Sequence, residues 1–102
     1  MSNKLGERYT VTRNGRYSFE ADGRRDGVTV ILQGELGTAE VAAFREIGGV
    51  VCPVYDGGPI KADTLDNFGR PAREIVIAGA FDALIMEISK ADDATDFDMV
   101  AA

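Results

Sequence analysis

An all-β fold, a small antiparallel β-sandwich or barrel of about seven or eight short strands, is the architecture this sequence predicts. Three observations predict it. β-Branched and aromatic residues gather in short alternating runs; Gly, Pro, Asn and Asp interrupt those runs roughly every 8–12 residues; and no stretch combines a helical period with an extended packing face. No internal repeat is visible.

Residues 1–8 read as an N-terminal arm. Residues 9–12 and 17–21 then alternate, and the Asn14-Gly15 pair between them is a strong hairpin signal, because both residues tolerate positive φ. Asp22-Gly23 and Asp26-Gly27 bracket an arginine-rich turn. Val28-Thr29-Val30-Ile31-Leu32-Gln33 follows as the clearest strand of the chain, bounded by Gly34 and Gly37, and is expected at the centre of a sheet. Residues 38–47 fit two templates: a helix capped by Thr38 with Val41, Phe44 and Ile47 on one face, or an alternating strand. The flanking strands and the marginal stability of so short a helix favour the strand.

Residues 50–55 form a strand whose Pro53 cannot donate to a ladder, which places it at an edge or a bulge. Residues 56–71, with Gly57, Gly58, Pro59, Gly69 and Pro71, read as a long loop with one short strand near Ile60. Residues 73–77 and 83–88 are expected to make a second hairpin across Ala78-Gly79-Ala80-Phe81-Asp82. The acidic C-terminal tail, residues 91–102, carries Asp92, Asp93, Asp96 and Asp98 and ends in apolar residues, so it is read as a last strand or a docking arm.

The 102 residues suit one domain, 1–102, and 45% hydrophobic content against 27% charged lies well above the range of disordered chains. So small a core gains from oligomerisation. No N-terminal segment joins a basic region to a long apolar run, which predicts a protein assembled in a cytoplasm and directed to no membrane.

The catalytic inventory is sparse: no His, no Trp and a single Cys. Cys52 lies in an apolar run with no His to activate it and is read as a small buried hydrophobe. Ser18 and Ser89 have no base partner. Gly48-Gly49 and Gly57-Gly58 stand outside any phosphate-loop pattern and are turn residues. The aspartates of the tail lack the Gly and distal Glu of a calcium-binding loop, and Asp63 with Asp66 lacks the aromatic platforms of a glycosidase cleft. The expectation is a protein that is not an enzyme, with no catalytic residue, no metal and no cofactor.

Net charge is −6, unevenly distributed. Residues 1–25 carry six basic groups against three acidic ones, and the remainder five against fourteen. That polarity suits head-to-tail meeting of copies, or the docking of a basic segment on an acidic partner, and the acidic total disfavours nucleic acid. The candidate interface therefore comprises Arg8, Arg13, Arg16, Arg24 and Arg25 from the basic quarter, and Tyr55, Ile60, Leu65 and Phe68 from the segment around the Gly/Pro loop. Tyr55, Asp56, Asp63 and Asp66 on that loop support a second reading, a small carbohydrate- or protein-binding β-sandwich module.

The succession Tyr17-Ser-Phe-Glu-Ala, a glycine turn, Val28-Thr-Val-Ile-Leu-Gln-Gly, a broken middle, and Arg70-Pro-Ala-Arg-Glu-Ile-Val-Ile-Ala-Gly-Ala-Phe-Asp-Ala-Leu-Ile-Met-Glu-Ile resembles the small β-sandwich virion proteins of tailed bacteriophages. The resemblance covers residues 17–90 and lies in the order of strands and turns. Phe44 stands where an aromatic follows the second glycine turn, and the acidic tail has no counterpart. It implies a capsid decoration or cement protein, or a head–tail or fibre accessory, located in the virion and forming a homo-oligomer bound to the major capsid protein.

Overall fold

The computed structural model describes residues 3–102, and within them the chain is all-β, with no helix. Eight strands run in order: β1 (Asn3–Lys4), β2 (Arg8–Val11), β3 (Gly15–Glu35), β4 (Glu40–Ile47), β5 (Val50–Pro59), β6 (Thr64–Leu65), β7 (Pro71–Ser89) and β8 (Asp96–Ala101). They form one open sheet in the order β2-β8-β3-β7-β4-β5, with β1 added to β3 and β6 to β7. All pairings are antiparallel except β1 with β3, which is parallel.

Two long strands, β3 and β7, are the spine of the fold. They pair from Gly15↔Ile88 to Gln33↔Ala72, with register shifts between Glu20 and Arg25 and between Asp26 and Val28. On one side of these bulges the partners are β1, β4 and, through β4, β5; on the other they are β8, β2 and β6. The sheet thus bends over on itself into two layers, sandwich-like, and each layer borrows half of both long strands. Alternation confirms the bend. In β3 the buried residue before the bulges is Phe19 and those after are Val28, Val30 and Leu32; in β7 Ile75, Ile77 and Phe81 are buried, then Leu84, Met86 and Ile88. The parity of the inward face switches in both strands, as an inserted residue requires. Both layers contribute to one core, with Phe19, Phe81 and Phe97 its largest fully buried side chains.

These long strands correct two expected reversals, the arginine-rich turn at 22–27 and the hairpin across 78–82. Gly23, Gly27 and Gly79 do have positive φ, at 84°, 92° and 103°, but they bend continuous strands instead of reversing them. They lie opposite one another, with Arg25↔Phe81 and Asp26↔Ala80, so the two strands bend together and keep their ladder. The Asn14-Gly15 hairpin is absent as well. Neither residue adopts positive φ, Asn14 Oδ1 instead accepts a hydrogen bond from the Ala91 amide at 2.8 Å, and β2 pairs with β8, not β3.

Residues 96–101 are an inner strand between β2 and β3, so the supposed acidic tail is core architecture: Phe97, Met99 and Ala101 point inward. Two of its four carboxylates, Asp92 and Asp98, are occupied locally. Asp98 meets Arg8 at 3.6 Å and Thr10 Oγ1 at 3.3 Å, while Asp92 Oδ1 accepts bonds from the Thr95 hydroxyl and the Ala94 amide at 3.0 and 3.2 Å. The expected N-terminal arm falls partly on Met1 and Ser2, outside the described residues. Asn3 and Lys4 pair with Phe19 and Glu20, and the Tyr9 hydroxyl ties this end down, accepting from the Asn3 amide at 2.9 Å and donating to the Ser18 carbonyl at 2.8 Å.

Residues 40–47 are the strand β4, in agreement with the alternating reading. Gly48-Gly49 makes a two-residue turn into β5, an edge strand as Pro53 predicts. Such a turn directs the backbone groups of Val50 and Cys52 toward β4, so the N–H that Pro53 lacks would face outward. The expected long loop is broken up: β5 continues to Pro59, and the short strand lies at Thr64–Leu65, not near Ile60. Ile60 is instead buried, its amide bonded to the Ala39 carbonyl at 3.0 Å.

Candidate functional site

The segment 60–73 holds three of the nine residues singled out from the sequence, Ile60, Leu65 and Phe68, and a fourth, Tyr55, lies beside it on β5. The centre of the segment is a turn, Asp66-Asn67-Phe68-Gly69, with the sequence of a type I turn that has Asp first and Gly last. The Gly69 amide bonds the Asp66 carbonyl at 3.0 Å and closes it. One carboxylate then braces the whole loop. Asp66 Oδ1 accepts from the Phe68 and Arg70 amides at 2.8 and 2.9 Å, and Asp66 Oδ2 accepts from Arg70 Nε at 2.7 Å. The Asp66 side chain is only 7% exposed. That enclosure pushes its pKa up, but the amides of Arg70 and Phe68 and the Arg70 guanidinium outweigh it and hold the group below its ordinary value.

This bracing presents Phe68 to solvent. Phe68 is 85% exposed, the most exposed large apolar side chain among the described residues, and Leu65 on β6 is 65% exposed. The Arg70 guanidinium carbon lies 5.7 Å from the Phe68 ring centroid and covers one face of it. Apolar side chains on mobile loops are common on surfaces; one carried on a turn braced by three hydrogen bonds to a single enclosed carboxylate is a preorganised contact.

Beside this loop a cleft of about 230 Å³ opens at the mouth between the two layers. Val41, Tyr55, Gly57, Pro59, Ile60, Lys61 and Arg73 line it. Register explains the lining. Tyr55 pairs with the buried Ala43, and Arg73 with the buried Leu32, so both point to the inner side of their layers where the core ends. Arg73 Nη2 lies 3.5 Å from the Tyr55 hydroxyl, and its Nη1 is 3.3 Å from Asp63 Oδ2. Gly57 lets the Tyr55 ring lie over the backbone, since a Cβ there would displace the ring from this position. Leu65 pairs with Pro71, two residues before Arg73 on β7, and is exposed on the segment between the cleft and Phe68.

The arginines do not join this site. Arg8 pairs with Asp98, Arg16 with Glu87 at 3.0 Å, and Arg24 with Asp82 through two hydrogen bonds of 3.1 and 3.2 Å. The Asp82 carboxyl is held below its ordinary pKa by Arg24 first and then by the Gly48 amide, which bonds it at 2.9 Å. The basic first quarter is thus partly neutralised by acids of β7 and β8 in the same chain. Arg13 and Arg25 make no ion pair among the described residues; Arg25 Nε bonds the Gly27 carbonyl at 3.2 Å.

Arg70, Arg73, Gly57 and the cleft residues Val41, Pro59 and Lys61 are members of the site that sequence reasoning did not assign to it, and Asp66 reads in the sequence as a carboxylate for ligand recognition, not as the brace of the turn. The turn signature Asp-x-x-Gly was available for Asp66; Arg73 and Gly57 act through partners distant in sequence and left no local signal. Arg45 was also missed. It shares the inward side of β4 with Val41 and Ala43, its guanidinium lies against Gly79 at the bend of β7, and its Nε is buried without a hydrogen-bond partner. Among the described residues no group of three or more His, Cys, Asp or Glu side chains is placed to hold a metal ion. Comparison with known proteins finds no matching family model, no matching curated protein and no matching solved structure.

Proposed function

We propose that this chain is a non-enzymatic structural protein of a bacteriophage virion, a capsid decoration or cement protein or a head–tail accessory, that self-associates and binds the major capsid protein. One observation carries the docking part of this reading: Phe68, with Leu65 beside it, is held out to solvent on a loop braced by the enclosed Asp66 carboxylate. A rigid aromatic anchor is the kind of residue that dominates protein–protein contacts, because it buries a large area and loses little conformational freedom on docking. The succession of strand-like runs and turns over residues 17–90 of the sequence, which resembles that of small virion β-sandwiches, supplies the capsid part of the reading. The bend of the sheet supports it mechanically, since one cross-braced unit of 102 residues makes a firm tile.

The test is co-sedimentation of the purified chain with empty shells assembled from the major capsid protein of the same genome. A fixed stoichiometry on the shell, lost with Phe68→Ala, supports the proposal. Sedimentation of shells free of the chain at all ratios refutes it. The cleft favours a second reading, a small binding module, because it sets the Tyr55 hydroxyl and the Arg73 guanidinium beside apolar walls. Binding on a glycan or peptide array that disappears with Tyr55→Ala would support that reading.

A further inference from the structure

We propose that the socket for Phe68 is the cleft of a second copy of this chain, so that two copies exchange aromatic side chains about a two-fold axis. The inference rests on the self-association part of the reading above and names its contact. Three features support it.

The first is fit. A dry apolar cavity of about 150 Å³ holds a benzene ring, and the cleft offers about 230 Å³. Val41, Tyr55, Pro59 and Ile60 supply apolar walls for a phenyl group, and Lys61 and Arg73 put cations at its rim, where the π-face of a ring attracts them. Phe68 has one face turned to its own Arg70, and its high exposure leaves the other surface available.

The second is placement. Knob and socket are neighbours along the chain: Ile60, Lys61 and Arg73, near the two ends of the segment 60–73, contribute to the cleft, and Phe68 stands on the turn between them. A two-fold contact brings the same patch of each copy against the other, so a patch holding both a knob and a socket is satisfied twice by one operation.

The third is area. An aromatic side chain buries about 150–250 Å² when it docks. Two Phe68 and two Leu65 side chains, with the cleft walls they cover, reach on the order of 1,000 Å² in total, the lower limit for a specific interface. The contact is therefore expected to be reversible, with dissociation in the micromolar range, and to be reinforced when many copies sit on one shell.

Light scattering over a concentration series, together with directed crosslinking, tests the inference. The wild-type chain is expected to pass from monomer to dimer, and Phe68→Ala to weaken the dimer by at least about thirtyfold per lost anchor, while circular dichroism and the urea midpoint stay unchanged. In a Cys52→Ser background, protein carrying Asn67→Cys, which keeps Phe68, mixed with protein carrying Lys61→Cys is expected to form the mixed disulfide in preference to either homodimer. A dimer that survives Phe68→Ala, or one without preferential mixed crosslinks, overturns the exchange and leaves self-association standing. A monomer at every concentration up to several hundred micromolar overturns both.

Discussion

Replacing Phe97 with alanine would empty the centre of the strand that the sequence presents as an acidic tail. Phe97 is 1% exposed, lies between Asp96 and Asp98, and belongs to the core shared by both layers. An aromatic side chain buries about 150–250 Å², which at roughly 25 cal/mol per Å² is about 4–6 kcal/mol of transfer free energy. Alanine retains part of that, and a cavity adds to the loss, so the expected destabilisation is about 3–5 kcal/mol. Domains of this size have about 5–15 kcal/mol in total. With a urea m-value near 2 kcal/mol per M, the midpoint should fall by about 2 M. The assay is equilibrium urea unfolding followed by far-ultraviolet circular dichroism and by tyrosine fluorescence, with coincident transitions establishing two-state behaviour. Phe68→Ala is the control, expected within about 0.5 kcal/mol of wild type because the side chain is exposed. A Phe97→Ala midpoint within 0.3 M of wild type would refute the placement of residues 96–101 inside the sheet.

Three more outcomes are expected. Asp66→Ala removes the acceptor of the Phe68 and Arg70 amides, so hydrogen exchange at those two amides should accelerate by about tenfold or more with little change in the global midpoint; unchanged exchange would contradict the bracing. Stability should fall as pH drops below about 4, because Asp66, Asp82 and Asp92 have folded-state pKa values below their unfolded ones: their contribution is complete above the unfolded value and is lost as pH falls through the folded one. Urea midpoints measured between pH 2 and 7 check this, and a midpoint that rises on acidification would oppose it. Gly34→Ala should destabilise by more than about 2 kcal/mol, since Gly34 has φ of 126° and an added Cβ would stand 2.9 Å from the Asp96 carbonyl oxygen of β8; thermal unfolding measures it, and a neutral result would argue against so close a β3–β8 approach.

Alternating β-branched runs made the all-β class legible. Val28-Thr29-Val30-Ile31-Leu32-Gln33 is indeed in an inner strand, and residues 40–47 are β4. What stayed hidden was the distinction between reversing and bending. A glycine at positive φ serves a hairpin and a bulge equally well, and only the pairing of Arg25 with Phe81 and Asp26 with Ala80, more than 50 residues apart, decides it. The tail is open in the sequence to a last strand or a docking arm, and the strand is what forms; its inner place in the sheet was hidden, because the acids of Asp96-Phe97-Asp98-Met99-Val100-Ala101 drew attention from the apolar positions between them. Of the site, the exposed Leu65 and Phe68 and the cleft residues Tyr55 and Ile60 were legible as a group. Asp66 was noticed as a carboxylate, but its role as an acceptor of backbone bonds depends on a local turn. Arg73 reaches Tyr55 only because the two layers end side by side.

The position of β8 between β2 and β3 bears on how the chain comes to fold during synthesis. Among the described residues β2 has one ladder partner, and Thr10 meets Asp98 across 88 positions of sequence. Until residues 96–101 have left the ribosome, β2 has nothing to pair with, and the outer side of residues 30–35 is an open edge. Contacts of such long range close slowly, because the loop entropy is spent before the contact forms. The layer holding β1, β4 and β5 can assemble on the bent spine first, and the last strand then enters as a keystone. A chain waiting for its last strand has one exposed strand edge, and the rate of that final insertion sets how many chains complete the sheet before they pair with one another.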